Sequence, residues 1–313
     1  MSVSRISVII PHLNQPEDLE ACLGSLGDQT LDHSFFDIIV VDNGSSSPPD
    51  TVIARHPRAR LLRESKPGPG MARNTGVENS TGAVLAFIDA DCRAHPDWLR
   101  NALDALSRLP KWSILGGDVQ ICREAGSKIT AIEAYEAIFA YRFELYIRRH
   151  GYSGTGNLVV RRTHFEMVGR FGGIQVAEDM DWGRRACAAG FTFRYVPQMI
   201  VYHPARKSIG ELLVKWDRHT QHYLRMARGH PAWRVRWVAR AIALLISPAV
   251  DWTTVISTKR VSGASARFKA FLVLVAIRSY RAWRMLRILG NNEGVRWNRA
   301  SSIARSNTDD ELI

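Results

Sequence analysis

The chain has 313 residues, 46% of them apolar and 23% charged, with a formal net charge of +12. That length suits one large α/β domain with an appendage, or two domains, and the apolar-to-charged balance excludes wholesale disorder. Cys22, Cys92, Cys122 and Cys187 stand far apart without metal-ligand or redox spacing, so they read as structural thiols of a reducing compartment.

The charge is unevenly placed. Residues 1–204 carry 22 Lys+Arg against 23 Asp+Glu, whereas residues 205–313 carry 20 against 7. The front of the chain is electroneutral, and the basic remainder points to an anionic partner, either nucleic acid or a lipid surface.

Ile6–Ile10 is a β-branched run, too short for a signal peptide, that enters Pro11-His-Leu-Asn14 as a first strand meeting a loop. Pro16 opens a helix with Leu19, Cys22, Leu23 and Leu26 at helical spacing. Phe36–Val41 is a second strand, and Asp42-Asn-Gly-Ser-Ser-Ser is its turn. Pro49–Arg55 suits a short helix, Ala59–Arg63 a third strand, and Pro67-Gly-Pro-Gly70 a tight loop before a helix over Met71–Asn79.

Ala83-Val-Leu-Ala-Phe-Ile-Asp-Ala-Asp91 comes next, an apolar run of six followed by two carboxylates around a small residue. Such a run reads as a strand buried on both faces, and strand alternation would put Asp89 and Asp91 on one side. Ligands of open α/β sheets bind at the carboxyl ends of the strands, and paired carboxylates there suit Mg²⁺ or Mn²⁺ carrying a phosphate-bearing substrate. The bland alternative is an ordinary strand end or helix cap.

Pro96 sits at the first turn of a helix with Leu99, Leu103 and Leu106, and Trp112–Ile121 is a strand. Ile129–Arg149 reads as one long helix, its Tyr135, Phe139, Phe143 and Tyr146 rings facing the core. Gly154-Thr-Gly-Asn157 leads into a strand over Leu158–Arg162. Ala177-Glu-Asp-Met-Asp181 opens a helix ending at Gly190, where dipole capping competes with any functional role for a single acid. Phe193–Val196 and Met199–Tyr202 are two more strands. Strands and helices alternating at this pace predict a mostly parallel sheet flanked by helices.

Arg206–Arg228 is a basic, aromatic helix. Val238–Ile256 is apolar but cut by Arg240, Pro248 and Asp251, and Phe268–Leu289 carries an apolar stripe with Arg278, Arg281, Arg284 and Arg287 interspersed. No run reaches the roughly 18 uninterrupted apolar residues of a spanning helix. Basic amphipathic helices with Trp read as lying on an anionic membrane surface, the alternative being a packed subdomain with a solvated basic face. Ser306–Ile313 is a polar tail.

Six motifs in order then carry a resemblance: Val8-Ile-Ile-Pro-His-Leu-Asn14, Ile39-Val-Val-Asp42-Asn-Gly-Ser-Ser, Gly70-Met-Ala-Arg73-Asn-Thr-Gly76, Phe87-Ile-Asp89-Ala-Asp91, Gly154-Thr-Gly-Asn157 and Glu178-Asp179-Met-Asp181-Trp-Gly-Arg-Arg185. Over roughly residues 5–205 the chain resembles the family 2 glycosyltransferases, which have the GT-A fold. The resemblance implies a nucleotide-sugar-binding domain over 1–205 and places the basic helical extension, 206–313, outside the family pattern.

By that resemblance Pro11, Asn14, Asp42, Arg73 and Asp89 face the nucleotide-sugar donor. Asp91 would ligate Mn²⁺ or Mg²⁺ and Asp89 would face the ribose or metal-bound water. Asp42 would accept from the base, or be a simple turn residue; Arg73 would lie near the diphosphate, or form a surface salt bridge. His203 would complete the metal site, or be structural. Asp179 matches the family's general base and is favoured over Glu178 and Asp181 on motif position. Gly156, Asn157, Glu178 and Trp182 would lie on the acceptor side, with Trp182 stacking on a sugar or packing in the core.

The implied activity is inverting, metal-dependent hexosyl transfer to a glycan or lipid-linked acceptor, in polysaccharide or glycolipid biosynthesis at the cytoplasmic face of the membrane. The rival is a nucleic-acid binder using the basic third, against which stands the lack of any recognised nucleic-acid motif. A non-catalytic nucleotide-binding relative is the third reading.

Overall fold

A computed structural model describes residues 5–123, 126–174 and 176–290. The predicted tail at Ser306–Ile313 lies outside the described residues. The described chain divides into two compact units, one of residues 5–206 with Thr258–Ala270, the other of Lys207–Ser257 with 271–290.

The first unit opens with β1 (Ile6–His12), α1 (Pro16–Gly27), β2 (Phe36–Asp42), α2 (Asp50–Arg55), β3 (Ala59–Arg63), α3 (Pro69–Glu78) and β4 (Val84–Ile88). It continues with β5 (Arg93–Ala94), α4 (Trp98–Arg108), β6 (Ser113–Cys122), α5 (Ala131–Phe139), α6 (Phe143–His150), β7 (Asn157–Arg161), α7 (Arg162–Val168), α8 (Glu178–Ala188) and β8 (Thr192–Pro204). The sheet order is β3-β2-β1-β4-β7-β6-β8-β5. β3, β2, β1 and β4 pair in parallel, and β7 enters antiparallel between β4 and β6.

Strand alternation divides the core between two faces. Val8, Ile10, Ala86 and Ile88 pack with Leu19, Leu23 and Leu26 of α1, while Ile9, Leu85 and Phe87 pack with Phe165, Phe171 and Trp182. β4 is therefore buried on both sides, as its apolar run requires, and each such side chain contributes roughly 1.5–3 kcal/mol. Pro16 and the acids Glu17 and Asp18 start α1 where the unpaired N–H groups and the helix dipole favour them.

Several expectations change. Ile129–Arg149 is two helices, and Tyr141 in the break turns its ring onto His203, 4.7 Å between centroids. Thr130 and Glu133 form a capping box at the first, and Gly151, at φ +66°, closes the second. The two strands predicted over 193–202 are one, β8, whose register against β6 shifts between Val196 and Ile200 around Pro197, which has no N–H to give the ladder. Arg162 begins α7, which was not expected, and Pro96 precedes α4 rather than lying within it. β4 ends at Ile88, so Asp89-Ala-Asp91 is a turn, closed by the Cys92 N–H donating to Asp89 O (3.0 Å), rather than a continued pleat.

The segment returning to this unit is held by Arg260, which donates to the Asp118 carboxylate and to Val119 O (3.1 Å). Tyr195 Oη donates to the same carboxylate at 2.8 Å.

The second unit contains α9 (Ile209–Arg228), α10 (Trp233–Ser257) and most of α11 (Ala264–Gly290). Trp237 Nε1 donates to Met285 O at 2.8 Å, within a core that includes Leu224, Ala241 and Leu244. Three of the four arginines expected beside the apolar stripe, on a lipid surface or a solvated face, turn inward instead. Arg278 pairs with Asp251 (2.9 Å), Arg284 pairs with Asp217 (3.3 Å), and Arg281 lies 3.8 Å from the Trp216 ring centroid. Only Arg287 of the four is exposed. α10 continues through Pro248 and Asp251 and, by length and composition, is long and apolar enough to cross a membrane, although no uninterrupted run suggested it.

Candidate active site

Parallel pairing of β1 with β2 sets His12 beside Asp42 and Pro11 beside Val41 at the carboxyl ends. His12 Nε2 accepts from the Gln15 N–H (3.2 Å), so Nδ1 carries the proton and donates to Asp42 Oδ1 at 3.1 Å. Ser45 donates its hydroxyl to that oxygen (2.5 Å) and its N–H to Oδ2 (3.3 Å). Burial alone would raise the Asp42 carboxyl; the Ser45 and His12 bonds outweigh it and hold it below the usual range. Asp42, 3% exposed, is thus an ionised acceptor in a fixed orientation. Asn14, at φ +54°, accepts from the Ser46 N–H (2.8 Å) and fastens the loops after β1 and β2 together.

Arg73 of α3 is 3% exposed rather than a surface residue. It donates through Nη2 to Asp89 Oδ1 (2.6 Å) and through Nη1 to Glu178 Oε1 (3.2 Å). Its Nε is buried with no partner among the described residues, so the cation retains donor capacity. Gly156 approaches the same carboxylate so closely that a Cβ there would lie 2.6 Å from Asp89 Oδ2.

His203 comes from β8 and Asp91 from the turn after β4, with Nε2 3.1 Å from Oδ2. Nδ1 donates to Pro204 O at 2.6 Å, which directs Nε2 at the carboxylate, the arrangement that orients metal-binding imidazoles. Burial pushes the Asp91 carboxyl up, but His203 pulls it down further, leaving it lowered; His203 is raised by Asp91 against the effect of burial. Asp91, Cys92 and His203 bring their ligand atoms within 4.8 Å of one another. Burial raises the Cys92 thiol well above its ordinary value, so it stays protonated and points weakly at Asp91 Oδ1 (3.7 Å). Carboxylate plus imidazole fits a divalent cation such as Mn²⁺ or Mg²⁺.

The three acids of α8 separate by environment. Glu178 is tied to Arg73, and Asp181 pairs with Arg185 at 3.0 Å. Asp179 has no ion pair among the described residues and accepts only from the Met180 N–H (2.7 Å). Burial and the neighbouring Glu178 charge push its carboxyl up to about 6. That value suits a group that must take a proton near neutrality.

Three expected acceptor contacts are corrected. Asn157 is 0% exposed and wholly committed: it accepts from Trp98 Nε1 (2.9 Å) and donates to Asp118 O and Met199 O (both 2.8 Å). A Cβ at Gly117 would collide with its amide, so that glycine makes room for it. Trp182 is 1% exposed, packed against Phe165, Phe171 and Phe193 with Nε1 donating to Gly169 O (2.8 Å), so no sugar reaches its ring. Glu178 faces Arg73 rather than standing free for an acceptor. Sequence reasoning missed His12, Ser45 and Tyr141. The first two lie inside quoted motifs, but nothing local marks Tyr141.

A parallel half-sheet presenting Asp42, Arg73 and the Asp89–Asp91 turn, joined to a mixed half-sheet presenting His203 and the α8 carboxylates, defines a glycosyltransferase of GT-A fold. The chain belongs to glycosyl transferase family 2, whose model matches residues 7–169. It is 34% identical over 219 residues to the glycosyltransferase AglE of Haloferax volcanii, covering 68% of this chain and 71% of that one. It is 28% identical over 214 residues to the amylovoran biosynthesis glycosyltransferase AmsB of Erwinia amylovora, covering 63% and 69%. In fold it is similar to the mannosyltransferase PcManGT of Pyrobaculum calidifontis, solved with GDP-Man and Mn²⁺, at a TM-score of 0.59 and 18% identity over 93% of this chain and 88% of that one.

Proposed function

We propose that the protein transfers a hexose, with inversion at the anomeric carbon, from a nucleoside-diphosphate sugar to a hydroxyl of a glycan or lipid-linked acceptor. The observation that carries this reading is the division of the site's carboxylates between two environments. Asp91 is held ionised beside His203, while Asp179 is raised to about 6. Asp42, fixed as an ionised acceptor, receives a ring N–H of the base, a group that uracil and guanine both offer. Arg73 supplies positive charge beside the diphosphate through its buried guanidinium, and Asp89 orients it. A divalent cation held by Asp91 and His203 would offset the charge that builds on the leaving diphosphate. Asp179 takes the proton of the attacking acceptor hydroxyl through a carboxylate oxygen, opposite the leaving group. In-line attack then inverts the sugar carbon.

The test is a panel of nucleotide sugars assayed for transfer or hydrolysis with Mn²⁺, Mg²⁺ or EDTA, with the anomer of the product read by NMR. Turnover of at least one donor, lost in EDTA and restored by the cation, is expected. Asp91→Asn and His203→Gln should each weaken Mn²⁺ binding, read by calorimetry, by about tenfold or more, equivalent to about 1.4 kcal/mol. Full activity of Asp91→Asn in EDTA, or retention of the donor's anomeric configuration, would overturn the mechanism.

A further inference from the structure

In the second unit two helices are apolar on the side that no other described residue covers. α10 buries Trp237, Ala241, Leu244 and Val255 on one face. Its opposite face exposes Val235, Ile242, Ile246 and Val250, with Ile246 at 61% and Val250 at 70%, and Leu245, Trp252 and Ile256 widen the stripe. α11 buries Val273, Leu274, Ile277 and Met285 and exposes Leu272, Trp283 and Leu286 on the other side. Scattered exposed apolar residues are ordinary; continuous stripes along two neighbouring helices are not.

Charge indicates what covers them. The described segments of this unit, 207–257 and 271–290, carry 12 Lys+Arg against 3 Asp+Glu. Asp217 and Asp251 pair inward with Arg284 and Arg278, and Glu211 accepts from the Lys207 N–H at the start of α9 (3.0 Å). The exposed Arg234, Arg236 and Arg240 therefore keep their charge without a carboxylate partner among the described residues. An apolar stripe beside uncompensated arginines, with exposed tryptophans at positions 252 and 283, matches the boundary between anionic headgroups and acyl chains.

We infer that the exposed faces of α10 and α11 seat the protein on an anionic lipid surface, with the helices in the plane of the bilayer rather than across it. The 25 residues of α10 reach about 37 Å, enough to span, but its other face is occupied by protein. The Arg278–Asp251 pair, at the middle of α11, would also have to enter hydrocarbon if the helices crossed. This goes beyond the transferase reading and does not depend on it.

The full chain is incubated with vesicles of equal parts phosphatidylglycerol and phosphatidylcholine, or of phosphatidylcholine alone, and pelleted at low and high salt. It should pellet with the anionic vesicles and at least tenfold less with the neutral ones. Part of the binding should survive high salt, because apolar burial is not screened. Ile246→Ser with Val250→Ser, and separately Trp283→Ser with Leu286→Ser, should each reduce vesicle partition at least tenfold, with circular dichroism and donor-nucleotide affinity unchanged. A protein left in the supernatant with both vesicle types overturns the inference. So does a solution dimer that these variants dissociate without altering lipid binding, which would assign the face to a second copy of the chain. Vesicle binding in a protein that turns over no nucleotide sugar would support this inference and count against the transferase reading.

Discussion

Replacing Asp179 with asparagine should slow transfer and stabilise the fold in one step. The Asp179 carboxyl is raised from an ordinary 3.8 to about 6, so the folded protein holds that proton more tightly than the unfolded chain does. The group's favourable contribution is complete below about pH 3.8 and is lost as pH rises toward 6. Above pH 6 the ionised form imposes a constant penalty. At about 1.36 kcal/mol per unit, that penalty is at most about 3 kcal/mol. Asparagine carries no charge, and its Oδ1 still accepts the Met180 N–H. Thermal melts at pH 8 should therefore rise by several degrees, at about 2–4 °C per kcal/mol for a domain of this size, and the gain should vanish near pH 4. Turnover should fall about 10²- to 10⁴-fold, with donor affinity retained. The parent should lose activity as pH drops through about 6, and the residual activity of the variant should not. An asparagine variant that melts lower at pH 8, or keeps the parental rate, refutes the assignment.

Gly156→Ala puts a backbone-anchored methyl 2.6 Å from Asp89 Oδ2 and should weaken donor binding in calorimetry by about tenfold or more, whereas Gly173→Ala, with nothing within 4 Å of its Cβ, should bind as the parent does. Asn157→Ala strands the Trp98 N–H and two carbonyls and should cost about 2–4 kcal/mol in urea unfolding, and Trp182→Ala should cost about 3–5 kcal/mol. Neither change should alter acceptor preference among the molecules that remain folded.

The positions of the residues expected on the donor side were legible because the signals that place them are local. Asp42 ends β2, Asp89 and Asp91 follow β4, and Arg73 is the fifth residue of α3, near boundaries that periodicity and turn residues mark. Tyr141 could not be seen: Ala140, Tyr141 and Arg142 all tolerate a helix, and the ring's partner, His203, is distant in sequence. Asn157 and Trp182 lie in the right motifs, yet burial and partner choice, which spacing does not carry, spend them inside the fold. The arginines of α11 misled for a related reason. At three-residue spacing Arg278, Arg281 and Arg284 look like a polar face, and only Asp251, Trp216 and Asp217 on neighbouring helices show it turned inward. The apolar stripe beside them was readable, and its exposure was not.

The hold of Arg260 on Asp118 has a consequence for synthesis. The two residues are 142 positions apart, and the guanidinium that neutralises this buried carboxylate is made only after the second unit's first two helices. At about 5–20 residues per second, roughly 3–13 s separate the synthesis of Tyr195 from that of Arg260, and in that interval Asp118 is held by Tyr195 and Gln120 at best. A chain released at residue 206 would remain in that state, one cation short at the strand that joins β7 to β8. The unit that carries the candidate site thus depends for its completion on residues the ribosome adds late.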